Sequence, residues 1–325
     1  MTKLEIGDRP PITISVLFCI DRAFWQHAAV SIASLLGNNP QSIFRIFVVS
    51  AADMDADEVA KLRLMIEGKG SHLETIVYSE AASYEHLPTH SHLSFAMYLR
   101  IFMTEYLDSS LEKVLYLDSD IVINSDISEL WLLPLGNAYV GAAREPYDRR
   151  QREPLGFSPG DLYINSGVML VNLTQWRTDQ VLPRLLAFAE DNQVILHSPD
   201  QDVINSVFRG RICDIGYQWN WQALFARLSP FELGLDRETF HRLRCAPKLV
   251  HFTSAYKPWF YRWQPHYKAM YYKYLAQTPW ANYEPPDRTV GNFPLWLARC
   301  VQRVMEWHFP ALARALRNMK EVFCA

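Results

Sequence analysis

Lys113-Val114-Leu115-Tyr116-Leu117 runs directly into Asp118-Ser119-Asp120, and the rest of the chain is read outward from this junction. The run has strand character, and two carboxylates stand at its carboxyl end. In open α/β sheets that end of a strand faces the ligand crevice. Side chains two residues apart on an extended chain share a face, so Asp118 and Asp120 approach one point together. Carboxylate oxygens suit hard divalent cations, and Mg²⁺ is usually held by one or two carboxylates plus the phosphates of its substrate. The junction therefore predicts a cation and diphosphate site.

Asp-x-Asp alone is short enough to match by chance, and the chain carries a second example. Asp53, Asp55 and Asp57 also alternate, but they precede the helical spacing of Val59, Leu62, Met65 and Ile66. They read as an N-cap and first-turn acids. A calcium loop starting at Asp53 needs Gly at its sixth position and Glu at its twelfth, where Glu58 and Leu64 stand.

Strand and helix patterns alternate on either side of the junction. Strands are predicted over 12–20, 44–49 and 73–78, helices over 24–36 and 59–66, and a longer helix over 95–107 feeds the Asp-x-Asp strand. The pattern loosens after Trp131, and 144–161 reads as a mobile loop, rich in charge and holding Pro146, Pro154, Gly156, Pro159 and Gly160. Strand character returns at 163–173, helices follow at 175–190 and 202–208, and 248–252 is a last short strand. This order predicts an α/β fold around a mainly parallel central sheet.

A chain of 325 residues can bury a large core. With 49% hydrophobic and 21% charged residues it is globular, and a net charge of −3 argues against a nucleic-acid partner. The average hides an asymmetry: residues 287–325 hold six Lys or Arg against three Asp or Glu, a balance of +3. Five scattered cysteines without Cys-x-x-Cys point to a reducing, cytoplasmic compartment. The apolar run 12–20 reads as a first core strand, not a leader, and no run is long enough to span a bilayer as a helix.

The aromatic residues of 259–283 are expected to pack, as large aromatics mostly do. Beyond Pro286, Leu297, Val301, Val304, Met305, Leu312, Leu316 and Met319 recur near helical spacing among Arg299, Arg303, Arg314, Arg317 and Lys320, with Pro310 dividing the segment into two helices. Two readings stand for this basic, aromatic helical tail. It anchors the chain peripherally on the inner face of the cytoplasmic membrane, or it packs on the protein itself.

Further pieces join the junction: Asp21 at the end of the first strand, Tyr98-Leu99-Arg100-Ile101, Asn165-Ser166-Gly167, Asp200-Gln201-Asp202, and His251 six residues before Lys257-Pro258-Trp259. Their order and spacing resemble glycosyltransferase family 8, nearest to bacterial lipopolysaccharide and lipo-oligosaccharide galactosyl- and glucosyltransferases, over 12–259. The resemblance implies the glycosyltransferase-A fold in a catalytic domain of 1–258, followed by an aromatic, then basic, region of 259–325. It implies transfer of a hexose from a UDP-sugar to a saccharide or lipid-linked saccharide acceptor, with retention of configuration.

It further implies that Asp118, Asp120 and His251 hold Mn²⁺ or Mg²⁺. Asp21, Arg100, Asn165, Ser166, Ser254 and Lys257 would bind the donor, and Gln201 and Asp200 would act at the reacting carbon. Loops near His92 and at 254–257 would close over the donor. The sequence departs from the family pattern at Ala23, where Asn is common, and at Ser254, where Gly is common. A self-glucosylating enzyme like glycogenin and a non-catalytic nucleotide-sugar-binding protein are the alternatives.

Overall fold

The computed structural model describes residues 11–89, 95–313 and 315–316. His92, Arg314, Arg317, Met319, Lys320 and Cys324 lie outside them. Among the described residues, ten strands form two sheets: β1 (Ile12–Cys19), β2 (Ser42–Ser50), β3 (His72–Val77), β4 (Lys113–Leu117), β5 (Ile121–Ile123), β6 (Val140–Arg144), β7 (Ile164–Asn172), β8 (Ile212–Asp214), β9 (Trp221–Gln222) and β10 (Leu249–His251). The large sheet runs β3-β2-β1-β4-β7-β6-β8, and only β7 is reversed within it. A small sheet, β5-β10-β9, stands beside it.

Alternation on the central strands divides the core into two layers. Ile14, Val16, Phe18, Leu115 and Leu117 pack under the helices Trp25–Asn38 and Ala56–Glu67. Leu17, Val114 and Tyr116 face the opposite layer, with Tyr98, Leu99, Ile101 and the helix Val181–Asp191. Burial on both faces is why these strands read as unbroken apolar runs. Asp118 follows Tyr116 in parity and so belongs to the second layer.

Asp118-Ser119-Asp120 is the joint between the sheets. The Asp118 N–H donates to Gly167 O at 2.8 Å, continuing the β4–β7 ladder, and Phe252 N–H donates to Asp120 O at 2.9 Å beside β5 and β10. The two acids are thus pinned by opposite sheets.

The predicted helix over 95–107 is instead a 3₁₀ helix, Phe95–Phe102, followed by one α turn, Met103–Tyr106. In this tighter winding Arg100 Nε donates to Met97 O at 3.0 Å, three residues back. The helix expected over 175–190 is broken in two, Leu173–Thr178 and Val181–Asp191, because Gln180 adopts a left-handed conformation with φ 45°. Segment 144–161 contains the short helix Arg149–Arg152, and Arg152 is buried with its guanidinium 4.1 Å from the Tyr163 ring centroid. Strands β5, β6, β8 and β9 were not anticipated. Asp55 caps its helix by accepting from Asp57 N–H at 2.9 Å and Glu58 N–H at 3.2 Å, as its position suggested.

The aromatic segment packs against the first helix. Trp259 stacks on His27 with ring centroids 3.6 Å apart, and His27 Nδ1 meets the Tyr271 hydroxyl at 2.8 Å. Burial lowers the His27 pKa to about 3, so it remains an uncharged packing residue.

The helix Phe293–His308 is amphipathic the wrong way round for a packed helix. Glu306 is 5% exposed, whereas Leu297, Val301 and Val304 are 48%, 55% and 51% exposed. Arg227 Nε donates to Glu306 Oε1 at 2.8 Å, and Arg244 donates to Glu306 O at 2.9 Å and to Trp307 O at 3.0 Å. Polar contacts seat it and an apolar stripe faces outward. Phe309 interrupts the helix and helical residues resume at Pro310, where a missing N–H is harmless. No helix among the described residues is long and apolar enough to cross a membrane.

Candidate active site

Two carboxylates and one imidazole converge at the joint. Ligand atoms of Asp118, Asp120 and His251 all lie within 4.8 Å of one another, with His251 Nε2 3.1 Å from Asp120 Oδ1 and 3.6 Å from Asp118 Oδ2. They come from the end of β4, the start of β5 and the end of β10, so the fold unites residues 131 positions apart.

His251 is 2% exposed, and its Nδ1 lies 2.9 Å from Asn220 Oδ1. An amide oxygen only accepts, so Nδ1 carries the proton and Nε2 presents its lone pair to the carboxylates. Asn220 is fixed in turn by donating to Asn165 Oδ1 at 2.8 Å. Oxygen and imidazole ligands of this kind fit a hard or borderline divalent cation. Asn220→Ala is expected to weaken Mn²⁺ affinity 10- to 100-fold, in line with removing a ligand's outer partner; isothermal titration of the variant checks it.

The network continues as a ring. Asn165 Nδ2 donates to Gln201 Oε1 at 3.0 Å, Gln201 Nε2 to Glu145 Oε2 at 2.7 Å, Gln222 Nε2 to Glu145 Oε1 at 3.0 Å, and Thr253 Oγ1 to Gln222 Oε1 at 3.2 Å. Thr253 lies two residues past His251, so the ring returns to the strand that supplies the imidazole. Each amide is oriented by its neighbours, which holds buried polar groups in one arrangement.

Arg100 lies beneath the acids. It donates to Asp118 Oδ1 at 2.7 Å and Ser166 Oγ at 2.9 Å, and its Nη1 is 3.1 Å from Asp200 Oδ2. Tyr116 OH also donates to Asp118 Oδ1, at 2.6 Å. Burial alone favours a neutral Arg100, but Asp118 and Asp200 outweigh it and keep the guanidinium charged. Burial raises the Asp200 pKa above the usual carboxylate range, against the opposing pull of Arg100. Burial pushes Asp120 the same way, yet the Lys257 ammonium prevails and holds its carboxyl well below that range. The Lys257 ammonium contacts Asp120 Oδ2 directly and donates to Phe252 O at 2.9 Å.

Six of the eleven predicted site residues, Asp21, Arg100, Asp118, Asp120, Ser254 and Lys257, line one cleft of about 660 Å³. Asn165, Ser166, Asp200, Gln201 and His251 are buried. All five except Asp200 are joined through the amide ring and its bond to the Ser166 N–H at 3.1 Å; Asp200 joins through Arg100 and Ser166 Oγ. Asp21 Oδ1 accepts from Ala23 N–H at 2.9 Å in the turn before the first helix, whose N-cap is Phe24 without a side-chain bond.

Ser254 has φ 73°, a conformation that suits glycine. Its hydroxyl accepts from Tyr256 N–H at 3.3 Å, a partial compensation. Ser254→Gly is expected to raise stability by about 1 kcal/mol, read as a higher melting temperature.

Glu145, Asn220 and Gln222 are absent from the expected site residues, and Gly167 enters there only as the last member of Asn165-Ser166-Gly167, with no role of its own. Glu145 directly follows β6 as Asp118 follows β4, and Asn220 and Gln222 alternate with Trp219 and Trp221, so strand-end and period-two signals existed for three of them.

The profile of Glycosyl transferase family 8 matches residues 15–262. General stress protein A of Bacillus subtilis (strain 168) is 25% identical over 284 residues, which is 85% of this chain and 96% of that protein. Lipopolysaccharide 1,2-glucosyltransferase of Escherichia coli (strain K12) is 26% identical over 281 residues, 84% of this chain and 81% of that protein. The crystal structure of galactosyltransferase LgtC in complex with donor and acceptor sugar analogs superposes with a TM-score of 0.70 at 20% identity, covering 86% of this chain and all of that one. The fold is of the glycosyltransferase-A type, with a helical C-terminal tail.

Proposed function

The chain belongs to glycosyl transferase family 8, and from that premise we propose that it moves glucose or galactose from a UDP-hexose to a saccharide acceptor, with retention. The acceptor is a lipopolysaccharide or another cell-surface glycan, a class supported by the name of the Escherichia coli relative. One observation carries the reading: Asp118 and Asp120, on the wall of a cleft that also holds Asp21, Arg100 and Lys257, converge with the buried His251 within 4.8 Å.

In this reading Asp118, Asp120 and His251 hold Mn²⁺ or Mg²⁺, which supplies charge stabilisation to the departing diphosphate. Lys257 adds a second positive charge at the same place. Asp21 accepts from the uracil ring N–H. Asn165, Ser166 and Arg100 set the sugar side of the cleft, where Arg100 suits hydroxyl binding through charge-assisted bonds. Gln201 and Asp200 stand at the reacting carbon. The Gln201 amide is bonded at both ends and Asp200 is engaged by Arg100, which supports front-face attack by the acceptor, with the leaving phosphate taking its proton, over a covalent intermediate on Asp200. Residues 254–257 close over the donor and exclude water.

The test is incubation with labelled UDP-glucose and UDP-galactose, Mn²⁺ and truncated lipopolysaccharide. Transfer from one donor with the anomeric configuration kept supports the reading. Donor binding without transfer to any acceptor would make the chain a nucleotide-sugar sensor.

The outward apolar stripe of the helix Phe293–His308 supports peripheral attachment to a membrane surface. Leu297→Glu together with Val301→Glu is expected to abolish flotation with anionic vesicles while leaving the melting temperature unchanged. Equal flotation of the variant would remove the anchor.

A further inference from the structure

The seated face of the helix Phe293–His308 closes a second pocket, of about 130 Å³, lined by Arg227, Trp263, His266, Arg299, Arg303 and Glu306 among others. An enclosed cavity of about 150 Å³ holds one benzene molecule, so this pocket seats at most one ring, with the substituents of that ring reaching out toward its rim. We propose that this pocket is an acceptor subsite for a sugar ring bearing a phosphate; the proposal rests on the transferase reading of the cleft.

The charge balance points to an anion. Glu306 is the pocket's one carboxylate, and it already accepts from Arg227 Nε at 2.8 Å and contacts His266 Nε2 at 3.3 Å. Arg299 donates to the neutral Gln302 Oε1 at 2.7 Å, and its buried Nε has no hydrogen-bond partner. The Arg303 side chain makes no hydrogen bond or ion pair among the described residues. Among the described residues, two guanidinium groups therefore stand beside one pocket without a counter-charge of their own, Arg299 lying 4.9 Å from the Trp263 ring centroid, and their planar forks match phosphate oxygens.

The walls point to a sugar. Trp263 and Tyr256 meet edge to face with centroids 4.4 Å apart, and Gln264 and Gln302 add hydroxyl partners. Aromatic surface with a few polar groups is the usual lining of a small-molecule site. A lipid headgroup carries the same phosphate, but the exposed Leu297, Val301 and Val304 lie on the opposite face of this helix, by the 3.6-residue period.

Position links the pocket to the chemistry. Ser254 lines both the pocket and the cleft, so an oligosaccharide seated with one ring here brings a neighbouring ring toward the donor. Arg299, Gln302 and Arg303 lie beyond residues 15–262, so one wall of the subsite, with its unpaired guanidinium groups, comes from this chain's own C-terminal helix.

Two arms test the proposal. With UDP and Mn²⁺ saturating the cleft, saturation-transfer NMR is recorded against glucose 6-phosphate, glycerol 3-phosphate and glucose. Glucose 6-phosphate is expected to bind the wild type best, and Arg303→Gln and Arg299→Gln to weaken it at least tenfold. Arg303→Gln removes no internal bond, so its melting curve stays unchanged. In the second arm, both variants raise KM about tenfold for phosphorylated truncated lipopolysaccharide with kcat within twofold, and leave KM unchanged for the phosphatase-treated acceptor. Wild type that ignores glucose 6-phosphate, variants that keep its binding, glycerol 3-phosphate binding equally well, or an equal KM rise for both acceptors would each overturn the subsite. If the wild type transfers from no donor, the transferase reading fails instead, and the NMR arm still decides the pocket.

Discussion

Asp120→Asn is expected to lower hexose transfer about 10³-fold, equivalent to roughly 4 kcal/mol of lost charge stabilisation, with Mn²⁺ binding weakened in parallel. The substitution keeps the shape of the side chain and removes its charge. Its partners tolerate this: Lys257, 21% exposed along its side chain, can turn to water, and His251 keeps its bond to Asn220. The same change at Asp118 has a different outcome. Arg100 is buried and divides its charge between Asp118 and Asp200, so Asp118→Asn leaves a buried cation with half its compensation. Breaking a buried pair from one side costs about 3–5 kcal/mol, and some of that appears here as lost stability. Thermal melts beside transfer assays separate the two cases. An unchanged melt with lost activity at Asp120, against a lowered melt at Asp118, is the expected pattern. If Asp120→Asn retains full transfer, the acidic couple is not the seat of the chemistry.

That asymmetry between neighbouring acids is invisible in the sequence, where Asp118 and Asp120 differ only by position. Their shared face and strand-end location were legible because both follow from a two-residue period and the direction of a parallel strand. The imidazole was legible only through the resemblance, because nothing local to Leu249-Val250-His251 says which sheet it joins. The amide ring was less legible still. Gln222 ends a two-residue strand and Asn220 stands just before it, so their alternation with Trp219 and Trp221 is too brief a signal to mark a site, and Glu145 opens a segment whose prolines and charges read as loop. The folded chain buries Arg152 in that segment and uses Glu145 to tie Gln201 to Gln222, so a stretch that is irregular by composition is fixed by its polar bonds. For the tail, helical spacing gave the amphipathic helix, but periodicity does not say which face turns inward. A helix is normally seated by its apolar face; here Arg227, Arg244 and Glu306 reverse the preference.

Gly167→Ala is expected to be the most damaging single methyl in the site. Gly167 lies inside β7, where glycine ordinarily weakens a strand and marks a close approach of other atoms. A Cβ at this position would overlap His251 Cε1 and lie 2.6 Å from Asp118 Oδ2. Neither neighbour can yield freely. Asp118 is held by Arg100 and Tyr116, and His251 by Asn220 on a buried strand. Strand β7 cannot retreat either, since it is paired on both edges with β4 and β6. The imidazole must therefore be displaced from the carboxylates or the joint between the sheets must shift. Overpacking of this kind costs about 1–3 kcal/mol of stability, and the displaced ligand lowers Mn²⁺ affinity by at least the 10- to 100-fold typical of a lost outer partner. Calorimetric titration and a thermal melt on the same variant read both effects. A Gly167→Ala protein that binds Mn²⁺ as tightly as the wild type would show that the imagined clash is relieved cheaply, and that the three ligands are not locked over the bare backbone of β7.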